Sequence, residues 1–399
     1  MTRMWDAVIV GAGPAGSAAA CFLARRGARV LLADRSAFPR DKSCGDACTP
    51  RSCSVLREMG ALPAVAAKGQ RIERVEMISP RGRGITISWA SPEFGDEGYV
   101  IPRKSLDHLL VETAIEAGAE FRPETPLESL ETEQDKVSLK WKTGGSDQAR
   151  LVIGADGAYS QVRRQLFAEE YSDSHSAWAI RGYFEEVPLQ DAGALIVSWE
   201  RELLPGYAWL FPTSPSSVNV GLGMRTPWMR QKGRKLRQLY ESFLQSSSPL
   251  ARLLGRGRPS GRARGHYLPL GLNLPKIARP RVMLAGDSAG LINPFSGEGI
   301  EGALESGRMA ADEAGRWLDE GAFGENEARR YDQRVRRHFR RNYFICNTLS
   351  HLIAYPSFVE RILKLAGGRR RVQQELIDLA FYGSGRFPWR TLLSLPFLK

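Results

Sequence analysis

The chain has 399 residues but only five cysteines and five histidines. Cys21, Cys44, Cys48, Cys53 and Cys346 are scattered and odd in number. That speaks against a disulfide framework and for a reducing cytoplasm. Cys44, Cys48 and Cys53 cluster without a Cys-x-x-Cys spacing or a neighbouring histidine, so no metal site is expected. The histidines fit no metal spacing, and no Ser-His-Asp set is evident. No apolar run reaches the ~18–20 residues needed to cross a bilayer. The first residues run directly into a strand-like segment, so no secretory leader is expected. Internal repeats are absent, and low-complexity patches are short: Ser246-Ser247-Ser248 and an Arg/Gly-rich stretch, Gly255–Gly265, read as an exposed loop. With 43% hydrophobic residues, the chain can bury two packed domains.

Charge is unevenly placed. The net charge is +12, yet the segment from Arg329 to Lys399 holds 15 Lys and Arg against 4 Asp and Glu. The rest is close to neutral. The basic segment interleaves its charge with Tyr343-Phe344-Ile345, Leu349, Leu352-Ile353, Phe358-Val359, Ile362-Leu363 and, near the end, Leu392 to Leu398. Basic amphipathic helices of this kind bind anionic membrane surfaces, at ~1 kcal/mol per basic residue near the surface. A helical cap with a solvated basic face satisfies the same pattern. Nucleic acid is not expected, since the basic residues lie among aliphatic ones and no recognition motif accompanies them.

Two segments carry nucleotide chemistry. In the first, Val8-Ile9-Val10-Gly11-Ala12-Gly13-Pro14-Ala15-Gly16 links a strand-like run from Trp5 to a helix-like run, Ala15 to Arg26. A second strand, Ala28 to Ala33, ends at Asp34-Arg35. Gly11 permits the turn, Gly13 lets a pyrophosphate approach the backbone, and Gly16 packs helix on strand. The helix N-terminus offers N–H donors to phosphates, and Asp34 stands where a carboxylate accepts from ribose hydroxyls. In the second, a buried-type strand from Pro280 runs into Gly286-Asp287-Ser288-Ala289-Gly290. Asn293-Pro294-Phe295-Ser296-Gly297-Glu298-Gly299-Ile300 follows, then a helical pattern from Glu301 to Leu318. A carboxylate held after such a strand suits ribitol hydroxyls, and two nucleotide segments this far apart suit the two halves of an FAD site.

Three further segments complete a resemblance. They are Gly154-Ala155-Asp156-Gly157-Ala158-Tyr159-Ser160-Gln161-Val162-Arg163, Phe38-Pro39-Arg40-Asp41-Lys42-Ser43-Cys44-Gly45-Asp46, and Pro205-Gly206-Tyr207-Ala208-Trp209-Leu210-Phe211-Pro212. With the two nucleotide segments, in this order, the chain resembles FAD-dependent oxidoreductases of the p-hydroxybenzoate hydroxylase type. Within them it is similar to the geranylgeranyl reductase family, whose Lys-x-Cys-Gly and Tyr-x-Trp-x-Phe-Pro motifs it carries.

The resemblance implies an α/β fold: a Rossmann-like FAD domain interleaved with a mixed or antiparallel substrate sheet, then a helical C-terminal region. The FAD domain is expected at 1–70, 99–170 and 276–320, the substrate domain at 71–98 and 171–275, and the basic helical region at 321–399. Strands are read at Arg71–Ile78, Gly84–Trp89, Ala177–Glu186, Ala194–Glu200, Tyr207–Phe211 and Ser217–Met224, with a helix over Met229–Leu254.

The implied FAD contacts are Gly11, Gly13, Ala15, Gly16, Asp34, Arg35, Cys44, Gly45, Arg103, Asp156, Arg163, Gly286, Asp287, Gly297, Gly299 and Ile300. NAD(P)H or another donor supplies the electrons. Cys44 is the candidate catalytic residue, either giving a proton or only packing. Tyr207, Trp209 and Phe211 alternate on a strand and so share one face, a wall suited to a long apolar substrate or to plain sheet core. Two activities use such a scaffold. One is reduction of an isoprenoid C=C bond, as in a geranylgeranyl or quinone side chain. The other is flavin-dependent oxygenation of a prenylated quinone, quinolone or other aromatic ring. The expected partners are an isoprenoid or prenylated aromatic molecule and an anionic membrane surface. The expected place is the cytoplasm, peripheral at the membrane's inner face.

Overall fold

The structure is a computed structural model that describes residues 4–90, 93–167 and 170–378. Among them, the strands form sheets of eight, seven and three strands. The eight-stranded sheet is built on Met4–Val10, which pairs in parallel with Val30–Ala33 and with Ser146–Gly154. Parallel pairing continues outward to Glu120–Arg122 and to Val282–Leu284. Ala7 to Val10 and Val30 to Ala33 are buried without a break. Parallel strands covered on both faces have no solvent side, so they read as continuous apolar runs. The helices Pro14–Arg25 and Ile300–Glu320 pack together against this sheet, and both bury most of their residues.

The seven-stranded sheet is mostly antiparallel. Its order is Arg258–Pro269, Ser176–Glu185, Ser217–Arg225, Tyr207–Ser214, Ala194–Ser198, Arg74–Ile78, Gly84–Ser88, with one parallel pair between Ala194–Ser198 and Arg74–Ile78. The chain enters this sheet between visits to the eight-stranded one, so the two are interleaved.

Three readings of the sequence need correction. Arg71–Ile78 is not one strand. Gln70–Ile72 joins Ala47–Cys48 and Gly98–Val100 in the three-stranded sheet, and Arg74–Ile78 joins the seven-stranded one. Met229–Leu254 is not one helix but parts of three, Thr226–Gln231, Leu236–Leu244 and Pro249–Leu253. Gly233, at φ +62°, and the Ser246–Ser248 run break it, and Ser248 caps the last piece. Finally, most of Gly255–Gly265 is strand. It belongs to Arg258–Pro269, which among the described residues pairs only with Ser176–Glu185 and so forms the sheet's edge. Charge on an edge strand blocks further pairing, which is why its composition looks like a loop.

The basic region forms the helices Glu325–Leu352, Pro356–Gly367 and Arg370–Ile377. Much of the apolar side is used internally: Tyr343, Ile345, Leu349, Ile353, Val359 and Leu363 are buried. Phe344, at 71% exposure, and Tyr355, at 60%, remain outside, and Arg337, Arg340 and Arg341, on the same helix as Phe344, are exposed too. The cap reading therefore accounts for most of this pattern. Leu392 to Leu398 lie outside the described residues. Among the described residues no helix is long and apolar enough to cross a membrane.

Candidate active site

Gly11 takes φ +102°, and a side chain on Gly16 would overlap the Gly11 carbonyl, so the turn closes tightly onto the helix. Pro14 opens that helix, where its missing N–H costs nothing. Asp34 is buried at the end of the second strand. Its Oδ2 accepts from Ala12 N at 2.8 Å and its Oδ1 from Ser36 N at 2.9 Å, which pins the turn. Gly13 differs from its neighbours. A Cβ there would meet only guanidinium nitrogens, of Arg40 at 3.6 Å and of Arg103 at 4.0 Å. The backbone thus faces two cations, both held by the buried Asp107: Arg103 through Nε and Nη2 at 2.7 and 2.8 Å, Arg40 through Nη1 at 2.8 Å. Ala15 is buried in the first turn, and Arg35 lies exposed just after Asp34.

The second nucleotide segment follows Val282–Leu284, on the far side of Ser146–Gly154 in the same sheet. Gly286, at φ +63°, turns the chain and presents Asp287, whose Oδ2 pairs with Lys42 Nζ at 2.8 Å. Burial works against its charge, yet Lys42, with His266 and Arg103, holds the carboxyl below its ordinary value. Gly297, Gly299 and Ile300 lead into the long helix. Tyr171 Oη donates to the carbonyls of Asp287 and Ser288, and its ring lies 4.3 Å from the Arg163 guanidinium. Asp156 Oδ2 accepts from Gln161 N and Val162 N at 2.6 and 3.2 Å. Asp156 and Arg163 therefore brace this region from behind and do not line the cavity in front of it.

That cavity, of about 200 Å³, is bordered by Pro14, Arg103, Asp287 and Gly299 and also by Cys44, Gly45, Tyr207, Trp209 and Phe211. The three aromatic rings form a row, with centroids 6.0 and 6.1 Å apart. The facing strand makes room for them: Gly221 pairs with Trp209, and a side chain there would overlap the indole. The Lys42–Asp46 loop closes on this wall, with Gly45 against the Phe211 ring. Burial pushes the Cys44 thiol up, against the pull of Arg103, so it is a neutral thiol.

Several residues here were not singled out from sequence. Asp41 and Arg181 form an ion pair, and Arg181 Nη2 also reaches Lys42 O at 3.2 Å. Asn219 bridges the aromatic strand and the loop: Trp209 Nε1 donates to its Oδ1 at 2.9 Å, and its Nδ2 donates to Cys44 O and Asp46 Oδ2, each at 2.7 Å. Asn219, Gly221 and Gly223 alternate along one strand face, and that spacing was the available signal. Nothing local marks Tyr183 or Arg181, because their partners lie about 140 residues away.

A family model described as an FAD binding domain matches residues 4–308. Menaquinone reductase of Mycobacterium tuberculosis is 32% identical over 360 residues, covering 89% of this chain and 85% of the relative. Geranylgeranyl diphosphate reductase of Rhodobacter capsulatus is 33% identical over 328 residues, covering 79% and 76%. The chain belongs to the geranylgeranyl reductase family of FAD-dependent oxidoreductases. The fold agrees: a geranylgeranyl bacteriochlorophyll reductase-like protein from Thermoplasma acidophilum superposes with a TM-score of 0.82 over 95% of this chain and 97% of that one, at 20% identity.

The residues of this oxidoreductase fit the cofactor. Gly13 leaves an open cradle at a helix start, and the two guanidinium groups beside it, which share the one carboxylate of Asp107, leave net positive charge for a pyrophosphate. Asp34 and Asp287 follow strands of one sheet that are separated by two parallel strands, Met4–Val10 and Ser146–Gly154, and so stand where well-separated ribose and ribitol hydroxyls need acceptors.

Proposed function

We propose that this oxidoreductase saturates C=C bonds of a polyprenyl chain carried by a quinone or a comparable isoprenoid. The observation that carries the reading is the Tyr207–Trp209–Phe211 wall, set with the Lys42–Asp46 loop in one cavity that also borders Arg103 and Asp287. The two relatives named above carry the names of quinone and isoprenoid reductases, which points the same way.

Bound FAD, once reduced by NAD(P)H or another donor, supplies the hydride. The residues assigned to holding it are Gly11, Gly13, Ala15, Gly16, Asp34, Arg35, Arg103, Gly286, Asp287, Gly297, Gly299 and Ile300, with Asp156 and Arg163 bracing them. The aromatic wall orients the chain and excludes water, since its rings present long apolar surfaces. An isolated C=C bond is unpolarised, so the protein must also provide a proton within reach. Cys44 and its neighbours border that position.

Peripheral attachment to the inner membrane face brings the enzyme to its substrate. Arg337, Arg340 and Arg341 attract anionic lipid, and Phe344 and Tyr355 enter the interface.

The deciding experiment mixes reduced enzyme with a menaquinone or a geranylgeranyl substrate without oxygen. Addition of two hydrogens supports the reading. A requirement for O2, with one oxygen atom found in product, replaces it with the monooxygenase alternative.

A further inference from the structure

Asp46 follows the Gly45 that packs on Phe211, and it borders the cavity. It is wholly buried and takes φ +66°. Left-handed backbone is disfavoured for residues with a Cβ, and at functional sites it persists where the surroundings enforce it. Here the surroundings are two neighbouring strands. Tyr183 Oη donates at 2.6 Å and Asn219 Nδ2 at 2.7 Å, both to the same oxygen, Oδ2. The other oxygen, Oδ1, is buried with no hydrogen-bond partner among the described residues.

The asymmetry favours the protonated state. A buried carboxylate needs donors on both oxygens, whereas the neutral acid loses far less when one oxygen has no partner. Burial pushes the Asp46 carboxyl up to about 6, with Tyr183, Arg181, Asn219 and Arg103 opposing it. Each of the packed elements supplies one or two of these groups. Arg181 and Tyr183 come from Ser176–Glu185, Asn219 from Ser217–Arg225 and Arg103 from Arg103–Glu116, with Cys44 in the loop itself. Arg181 is engaged by Asp41 and Arg103 by Asp107, so neither cation is committed to Asp46.

We propose that Asp46 is the proton donor for double-bond reduction, delivering the Oδ1 proton to one alkene carbon while the other carbon receives the hydride. This rests on the reductase reading above. The balance closes: the π bond breaks, two C–H bonds form, the reduced flavin loses two electrons, and Asp46 is left as a carboxylate that water reprotonates before the next turnover. Cys44 is the weaker acid of the two, since its raised thiol starts from an ordinary value of 9.0.

Asp46→Asn isolates the proton, because Asn tolerates the left-handed conformation and keeps an acceptor for Tyr183 and Asn219. Infrared titration of flavin-free wild type should show a carboxylic-acid band that disappears near pH 6 and is missing in the variant. In anaerobic single turnovers of pre-reduced enzyme, the variant should be roughly 100-fold slower or worse, the scale of lost general acid catalysis. It should also lose the alkaline limb of the wild-type pH profile. A variant within threefold of wild type, or a limb that survives in Asp46→Asn and vanishes in Cys44→Ser, overturns the assignment. So does absence of the infrared band. If wild type itself leaves the alkene untouched, the reductase reading falls as well, and the two failures are told apart.

Discussion

Trp209 Nε1 donates to Asn219 Oδ1 at 2.9 Å, and this bond ties the aromatic wall to the loop that carries Cys44 and Asp46. Both groups of the Asn219 amide are thereby used. Its oxygen fixes the indole and its NH2 fixes the loop. The wall and the loop come from segments more than 160 residues apart, and one side chain sets their register.

Trp209→Phe should separate shape from hydrogen bonding. It keeps an apolar ring and leaves Asn219 Oδ1 without its donor, a loss of about 1–3 kcal/mol for a buried group. We expect kcat/KM for the isoprenoid to fall while bound FAD stays at wild-type levels. Trp209→Ala should cost about 3–5 kcal/mol of stability and impair turnover further. Flavin absorbance per protein, measured beside kcat/KM, checks this. Parallel loss of FAD and activity counts against a substrate role for the wall.

Gly13 and Gly16 should respond in opposite ways to the same change. Gly13→Val adds bulk where a Cβ meets only the guanidinium groups of Arg40 and Arg103, at 3.6 and 4.0 Å, and no backbone. The protein should fold, keep its apo melting temperature and bind no FAD. Gly16→Val drives a side chain into the Gly11 carbonyl and should prevent folding or destabilise it by several kcal/mol, at the upper end for point changes. Purification with excess FAD, followed by absorbance and thermal melting, distinguishes them. Full flavin content in Gly13→Val would overturn the pyrophosphate assignment.

These contrasts also mark what could be read from sequence. Gly11, Gly13, Gly16 and Asp34 were legible because their chemistry is local: turn, helix start and strand end follow within about 30 residues. The aromatic row was legible for the same reason, as alternation on one strand. The Asp41–Arg181 pair and the contacts of Asp46 with Tyr183 and Asn219 were not, since they join distant segments across two sheets. Composition misled at Arg258–Pro269, because an edge strand can carry the charge and glycine of a loop. At the basic helices it overstated the free apolar surface, because burial against the fold uses the same residues that a membrane would.

Membrane attachment should therefore be weak and salt-sensitive. With much of the apolar face buried, Arg337, Arg340 and Arg341 supply most of the attraction, and it is screened within ~8 Å at physiological ionic strength. Wild type should co-sediment with vesicles of phosphatidylcholine and phosphatidylglycerol at low salt and be released at high salt. Replacing the three arginines by Gln should abolish sedimentation and leave turnover of a detergent-dispersed substrate intact. Phe344→Ser should weaken it less. Equal binding to neutral vesicles would exclude the electrostatic part.

Asp46 should make the protein more stable in acid than at neutral pH, relative to Asp46→Asn. Its folded value is about 6 against an ordinary 3.8, so between these the folded state binds more protons than the unfolded one. Stability then falls as pH rises through this window and levels off above it. The difference amounts to about 1–3 kcal/mol, since each tenfold change in proton affinity is worth about 1.4 kcal/mol. Asn does not titrate, so its curve lacks this fall. Other buried groups titrate nearby: burial and Arg51 lower His338 to about 4, and burial raises Glu301 to about 7. They are common to both proteins and cancel in the difference. Urea unfolding of flavin-free wild type and variant at several pH values from about 4 to about 8 measures it. We expect the variant to gain on wild type as pH rises, even as it loses turnover. A gap that does not change with pH would mean that Asp46 is ionised throughout, and an ionised Asp46 has no proton to give.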